Sequence, residues 1–250
     1  MEFYDTGSYA GYTMETKVRY SACNADKRMR ISGILDDLQD TCTFQAEELG
    51  VGLAYMQEHQ TAWVLNSWQA DLIRNPVFGE KIRISTWPYG FQGFLGYRNF
   101  KIEDEAGNMI VRANSVWVFM DIQKHRPARI APQVADAYRV QPRLEMEYMD
   151  RKIPELTADM DKTQDAFRVP RYFIDSNQHV NNAKYILLAE EFLPADIQPV
   201  RVRAEYKKPA VYGDTIYPLL RQQSDCQTVQ LNGADGKPYT MIEFYTQQRK

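Results

Sequence analysis

The residues Asp175-Ser176-Asn177-Gln178-His179-Val180-Asn181-Asn182 place an acid, a hydroxyl, several amides and a histidine directly before the apolar run Ala183-Lys184-Tyr185-Ile186-Leu187-Leu188-Ala189. Asn and Asp are preferred helix caps, so capping accounts for one or two of these groups. It leaves a carboxylate, amides and an imidazole together at one point in the chain. Those types suit acyl transfer to water. An imidazole, with a reference pKa of about 6.5, takes a proton from water near neutral pH. A helix N-terminus offers unpaired N–H groups and about half a positive charge to an oxyanion forming on a carbonyl. A carboxylate such as Asp175 orients the ring, and an amide such as Asn177 positions water or substrate. The spacing of Asp175, Asn177 and His179 is alternate, so an extended approach to the helix predicts three side chains pointing one way.

A thioester is the easier substrate for such a site, because a thiol leaving group of pKa about 8.5 departs with little acid assistance. An amide would demand more, and no Gly-x-Ser-x-Gly elbow supplies a serine nucleophile. There is no HExxH, Gly-rich phosphate loop or dinucleotide fingerprint, so neither metal nor cofactor is expected. His59, between Glu58 and Gln60, and His125, between Lys124 and Arg126, read as solvated surface residues. The cysteines Cys23, Cys42 and Cys226 are odd in number and far apart, which predicts free thiols rather than a disulfide or zinc framework.

Composition narrows the classes of partner. The 250 residues carry 30 Lys and Arg against 33 Asp and Glu, a formal charge of -3. This balance gives no global attraction for nucleic acid or an anionic membrane, so a charged partner must meet a local patch. No stretch approaches the roughly 20 apolar residues of a membrane-spanning helix. Met1–Tyr9 also lacks the basic region of a secretory signal, so the expectation is a soluble, cytoplasmic protein.

The elements that must position the site come in two similar sets. In the first, an extended segment at Tyr12–Arg19 precedes a helix. Ser32 is its expected N-cap, Asp36 and Asp37 sit early against the dipole, and Gly50 stops it. Ile34, Leu38, Cys42, Ala46 and Leu49 recur along it at helical spacing. Strands follow at Trp63–Leu72, Glu80–Trp87, Tyr97–Ile102 and Met109–Ile122. The second set runs from an extended Ala166–Asp175 through a helix at Val180–Leu193. Its strands are Val200–Tyr206, Thr215–Arg221, Thr228–Leu231 and Tyr239–Thr246. Local echoes support a duplication. Pro76–Ile82 resembles Pro209–Ile216 with one extra residue, and the turn Glu105–Asn108 matches Ala234–Lys237. This predicts an α+β chain with a first unit at 1–122, a connector at 123–165 and a second unit at 166–250. The connector, with Pro127, Pro132, Pro142 and Pro154, reads as a loop with one or two short helices.

Taken together, these residues resemble the acyl-acyl-carrier-protein thioesterases of bacteria and plant plastids. The likeness is most specific at Asn177-Gln178-His179-Val180-Asn181-Asn182-Ala183-Lys184-Tyr185. It extends to Trp63-Val64-Leu65, Pro76–Trp87, Gly96-Tyr97-Arg98-Asn99-Phe100 and Ser115-Val116-Trp117-Val118, and is weaker at residues 126–150. The resemblance implies a tandem double hotdog, each unit an antiparallel sheet wrapped around a long central helix. It also implies hydrolysis of fatty-acyl thioesters on acyl carrier protein, releasing free fatty acid. Asn177 and His179 become the catalytic pair, with Asp175 as the accompanying carboxylate. The N-terminal unit, with Trp63, Trp68, Trp87 and Trp117, would hold the acyl chain.

One departure stands out. The plant enzymes have a Glu-Cys pair where this chain has Pro209 and Ala210. That favours attack by water, with His179 or Asp175 as base. Docking of an acidic carrier is expected at Lys184 and at the cluster Lys124, Arg126 and Arg129. Duplication satisfies within one chain the pairing that single units achieve as dimers, so a homodimer stays open. Other readings of the same architecture are an acyl-CoA thioesterase, a hydroxyacyl dehydratase and a non-catalytic acyl-binding sensor.

Overall fold

The computed structural model describes residues 11–157, 161–194 and 197–246. The chain forms two compact units, one of Met1–Asn66 with Ile73–Tyr148 and the other of Ser67–Leu72 with Met149–Lys250. No helix among the described residues is long and apolar enough to cross a membrane.

In the first unit, β1 (Tyr12–Lys17) leads to α1 (Ile31–Glu48) and the short α2 (Leu53–Glu58). These are followed by β2 (Thr61–Leu72), β3 (Lys81–Gln92), β4 (Leu95–Asp104), β5 (Met109–Asp121), β6 (Arg126–Pro127) and α3 (Pro132–Ala137). β1, β3, β4 and β5 pair antiparallel in that order. The sheet packs on α1, whose buried Ile31, Ile34, Leu35, Leu38, Thr41, Cys42 and Gln45 recur at helical spacing. Gly50, at φ +73°, ends the helix as the sequence predicts.

The start of α1 differs from expectation. Its N-cap is Arg30, with no side-chain cap, and Ser32 is buried inside the first turn. The preceding loop fixes this start through its backbone, since the Arg30 N–H donates to the Ala22 carbonyl at 2.9 Å. Asp36 and Asp37 lie beyond the first turn. Asp37 is buried against Arg19, whose guanidinium bonds its Oδ1.

Burial lifts the Asp37 carboxyl to about 6, against the opposing pull of Arg19. The folded chain therefore keeps a proton that the unfolded chain has lost, and stability falls as pH rises from about 4 to 6. Asp37→Asn should be more stable than wild type in urea at pH 8, by at most about 3 kcal/mol, and should converge with it near pH 4. Greater stability of the wild type at pH 8 would show that the Arg19 pair outweighs burial.

The second unit repeats the order. β7 (Lys162–Thr163) and β8 (Phe167–Arg168) precede α4 (Asn182–Glu190), β9 (Pro199–Tyr206), β10 (Thr215–Gln222), β11 (Cys226–Asn232) and β12 (Pro238–Thr246). Here β10, β11, β12 and β9 pair antiparallel, and Ser67–Asp71 of β2 pairs with β9. Trp68 thus belongs to the second unit, although all the tryptophans fall in the first half of the sequence. α4 has 9 residues, shorter than the predicted Val180–Leu193, and presents Ala183, Tyr185, Ile186 and Ala189 to the interior. The predicted extended run Ala166–Asp175 keeps only β8, followed by a 3-10 turn at Arg171–Phe173.

The hairpin echo holds. Gly107 and Gly236 adopt φ +82° and +72° at matching places, closed by the Asp104 N–H to Asn108 carbonyl and Gly233 N–H to Lys237 carbonyl bonds. Left-handed backbone at these positions favours glycine.

The segment from Arg139 to Thr157 is tied down rather than free. Arg98 reaches Gln45 of α1, so its neighbour Asn99 faces away from the helix. There the Asn99 Oδ1 accepts the Leu144 N–H and the Tyr148 hydroxyl, each at 3.0 Å. In the second unit Glu205 and Gln230 accept the N–H groups of Ile153 and Leu156, at 2.9 and 2.7 Å. Within this segment Leu144, Ile153 and Leu156 are buried.

Candidate active site

Asp175 to His179 form a closed turn. The Asp175 N–H donates to the His179 carbonyl at 2.8 Å and the Gln178 N–H to the Asp175 carbonyl at 3.1 Å. An isolated bridge between Ile174 and Val180 flanks them. Gln178 sits at φ +63°, the left-handed region, which lets the chain reverse within these residues. The Asp175 Oδ1 accepts the N–H groups of Asn177 at 2.8 Å and His179 at 3.4 Å.

This geometry corrects the extended approach predicted from alternate spacing. In a turn the alternation of a strand does not apply. The carboxylate is directed at the amides of its own loop, and among the described residues it makes no hydrogen bond to the imidazole. Asn177 is exposed and His179 half-buried. The structure therefore places the predicted residues on one small loop, but it does not link their side chains to one another.

The loop is held from both sides. The Asn181 N–H donates to the Phe173 carbonyl, and the Val180 N–H to the Ala210 carbonyl, both at 2.9 Å. Asn181 is the N-cap of α4, its Oδ1 accepting the Ala183 N–H at 2.9 Å, so capping explains this one residue of the cluster.

Ala210 is fully buried, and its N–H donates to the Tyr185 hydroxyl at 2.8 Å. Burial pushes that hydroxyl's pKa well up, which keeps it neutral. Tyr185→Phe leaves the Ala210 N–H without its partner in a dry setting and should cost about 1–3 kcal/mol in urea unfolding. An unchanged midpoint would show that this bond does not anchor the loop.

The same construction occurs in the first unit. The Asn24 N–H donates to the Arg28 carbonyl at 2.8 Å, Met29 N–H to Pro76 at 2.9 Å and Arg30 N–H to Ala22 at 2.9 Å, while Lys27 sits at φ +65°. Pro76 thus corresponds to Ala210, which makes Pro209 the extra residue. Gly79 and Gly213, at φ +80° and +86°, close matching turns. Because Lys27 repeats the conformation of Gln178, the left-handed residue belongs to the loop's build rather than to its chemistry. The side chains differ: Asn24, Asp26, Lys27 and Arg28 stand where the second loop has Asp175, Asn177, Gln178 and His179. An arginine stays charged and cannot serve as a base near neutral pH.

Other candidates have surroundings of their own. His59 is exposed and stacks on Tyr55 with ring centroids 3.9 Å apart, and His125 is exposed at φ +49°. Cys226 is buried in β11, where burial, reinforced by Glu243, pushes its thiol up to about 11, so it is a poor nucleophile. Lys124 pairs with Asp121 at 3.0 Å. No three His, Cys, Asp or Glu side chains converge as a metal site among the described residues.

A group that sequence reasoning passed over is Arg98, buried in β4 without a carboxylate partner among the described residues. Its Nη1 donates to Thr86 at 3.0 Å and bonds Gln45, and the guanidinium lies 5.3 Å from the Tyr138 ring centre. The pattern of buried Ile82, Ile84 and Ile102 on neighbouring strand positions gives no sign of an interior cation.

Two models of one family together match most of the chain. Residues 10–138 match the acyl-ACP thioesterase N-terminal domain, and residues 156–241 match the acyl-ACP thioesterase C-terminal domain. A chloroplastic acyl-[acyl-carrier-protein] hydrolase of Cuphea viscosissima is 29% identical over 196 residues, covering 72% of this chain and 46% of the relative. The chain thus spans about half the length of that plant protein. A chloroplastic oleoyl-acyl carrier protein thioesterase of Arabidopsis thaliana is 26% identical over 249 residues, covering 90% of this chain and 68% of the relative. Among solved structures, an acyl-ACP thioesterase from Bacteroides thetaiotaomicron superposes with a TM-score of 0.86 at 20% identity, covering 94% of this chain and 97% of the other. That likeness supports the fold, a tandem double hotdog. The relatives are chloroplastic, so the cytoplasmic expectation is not confirmed by them.

Proposed function

This chain belongs to the acyl-ACP thioesterase family, and on that premise we propose that it hydrolyses fatty-acyl thioesters of acyl carrier protein to free fatty acid. The observation that carries the reading is the pair of matching loops, of which the second alone has an imidazole and a neutral amide where the first has Arg28 and Asp26. In this reading His179 takes a proton from water as the water oxygen bonds to the thioester carbonyl carbon. The developing oxyanion faces the positive end of α4. The carbon–sulfur bond then breaks, and the thiolate receives the proton from the imidazolium. Asn177 positions the water or the carbonyl.

Asp175 is assigned a positioning role, because its carboxylate already accepts two amides of the loop. With Ala210 buried as backbone support and the Cys226 thiol raised to about 11, neither position supplies a ready nucleophile, which favours direct attack by water. The assignment of the acyl chain to residues 1–122 and of chemistry to residues 166–250 is part of the same proposal. It is supported by the first unit's cluster of Val51, Met56, Phe119, Ile130, Val134 and Tyr138, against which Trp63 and Phe91 pack.

The test compares acyl-carrier-protein thioesters with matching coenzyme A thioesters. The carrier thioester should be turned over with kcat/KM at least about 10-fold higher, because the carrier adds protein contacts that coenzyme A lacks. Equal or reversed values would assign the chain to acyl-CoA hydrolysis.

A further inference from the structure

Beside the loop that carries His179, the second unit presents two arginines among exposed apolar side chains. The 3-10 turn Arg171–Phe173 leaves Tyr172 79% exposed, and the turn at Val211–Asp214 leaves Tyr212 52% exposed. The Arg171 guanidinium lies over the Tyr212 ring, 4.9 Å from its centre, so the two turns form one surface. Arg168, exposed in β8, donates its Nε to the Gly213 carbonyl at 3.2 Å and adds a second cation to that edge. Neither arginine forms an ion pair among the described residues. The neighbouring acids are engaged: Asp214 accepts the Val211 N–H and the Tyr239 hydroxyl, at 3.0 and 2.9 Å. Asp175 accepts the amides of its own loop.

This surface is continuous with the site. Phe173 and Ala210, which end the two turns, are the residues whose carbonyls hold Asn181 and Val180. At 3.8 Å per residue and about 5.5 Å across a paired backbone, Arg171 and Tyr212 lie within about 20 Å of His179. Arginine and tyrosine are enriched among the residues that carry binding energy at protein interfaces. Two unpaired cations flanking Tyr172, Val211 and Tyr212 fit an anionic protein surface bearing an aliphatic side chain.

We infer that Arg168, Arg171, Tyr172 and Tyr212 form the docking surface for the acidic carrier protein, from which its thioester arm reaches His179. The inference rests on the carrier reading above and adds the place of contact. It moves docking away from Lys124, Arg126 and Arg129, which lie in the first unit. That unit also supplies an internal control. Tyr20 is equally exposed at 79%, but it meets Phe78 edge to face at 5.8 Å, with no cation stacked over either ring among the described residues, beside the loop that lacks histidine.

The experiment measures KM with acyl-carrier, acyl-CoA and acyl-pantetheine thioesters, and binding of labelled holo-carrier to the intact chain. Arg171→Glu should raise KM for the carrier thioester about 10-fold or more at low salt, less at high salt, and weaken binding equally. The acyl-pantetheine KM should stay unchanged, which also shows that the variant is folded. Arg171→Gln should give a smaller shift in the same direction, and Tyr172→Ala a loss of carrier binding that Tyr20→Ala does not share. Unchanged carrier KM and binding at low salt would overturn the assignment. So would a KM increase confined to the coenzyme A thioester, which would make the patch a nucleotide site. Failure of the underlying reading looks different: the wild type would hydrolyse pantetheine thioesters yet neither turn over nor bind the carrier.

Discussion

His179→Ala should lower kcat on an acyl-carrier thioester by about 10²-fold or more, the loss typical when a positioned general base is removed. Arg28→Ala, at the matching place in the first loop, should leave kcat within about 2-fold. The contrast follows from the build of the loops. Both are closed by the same backbone bonds and carry one left-handed residue each, Lys27 and Gln178. Removing either side chain therefore leaves the loop's backbone-bonded frame in place, although Arg28→Ala also gives up an exposed ion pair with Asp26 at 3.6 Å. Only the second loop carries an imidazole, a side chain able to act as a general base, which a guanidinium is not. KM should change little in the His179 variant, because the ring acts on the attacking water rather than on the acyl chain. If His179→Ala retained wild-type kcat, the site would have to lie elsewhere.

The second large effect separates two roles for Asp175. Asp175→Ala removes the oxygen that accepts the Asn177 and His179 amides. The loop then loses its internal staple, the imidazole is held less firmly, and kcat should fall about 10- to 10²-fold. Asp175→Asn keeps a carbonyl oxygen that can accept the same amides. That variant should stay within about 3-fold of wild type. A general base would give the opposite pattern, since an amide cannot take the proton and Asn would be as damaging as Ala. Rates measured for both variants under saturating substrate decide between the roles.

Duplication was legible because it is written in turn residues. Gly79 with Gly213, and Gly107 with Gly236, mark backbone that side chains disfavour, and those punctuation points survive where strand sequences drift. The strand pattern was readable for similar reasons, with β-branched and aromatic runs between turns. What sequence spacing missed was set by backbone contacts across the chain. α1 begins where Ala22 receives Arg30, not where Ser32 offers a hydroxyl, and Asp175 folds back on its own amides instead of extending toward a helix. Arg98 is a further case. Its burial depends on Gln45, Thr86 and Tyr138, from three separate elements, coming together around it. The connector reads as a polar loop because its partners, Asn99, Glu205 and Gln230, are polar residues of strands that expose no periodic signal.

Within the candidate site the residue types pointed to the right segment, while their roles depended on geometry. Asn181 is the cap, Asp175 the staple, and His179 is left with a ring that makes no hydrogen bond among the described residues. Pro209 and Ala210 gain a physical meaning as well. Ala210 gives its carbonyl to Val180 and its N–H to Tyr185, so its backbone supports the loop from below.

The most direct measurement is a product balance on purified protein given an acyl-carrier thioester. Free fatty acid and carrier thiol should appear in equal amounts over many turnovers, with no acyl group left on the protein by intact mass. A persistent thioester, or one converted to an enoyl thioester without release of acid, would contradict hydrolysis at this site.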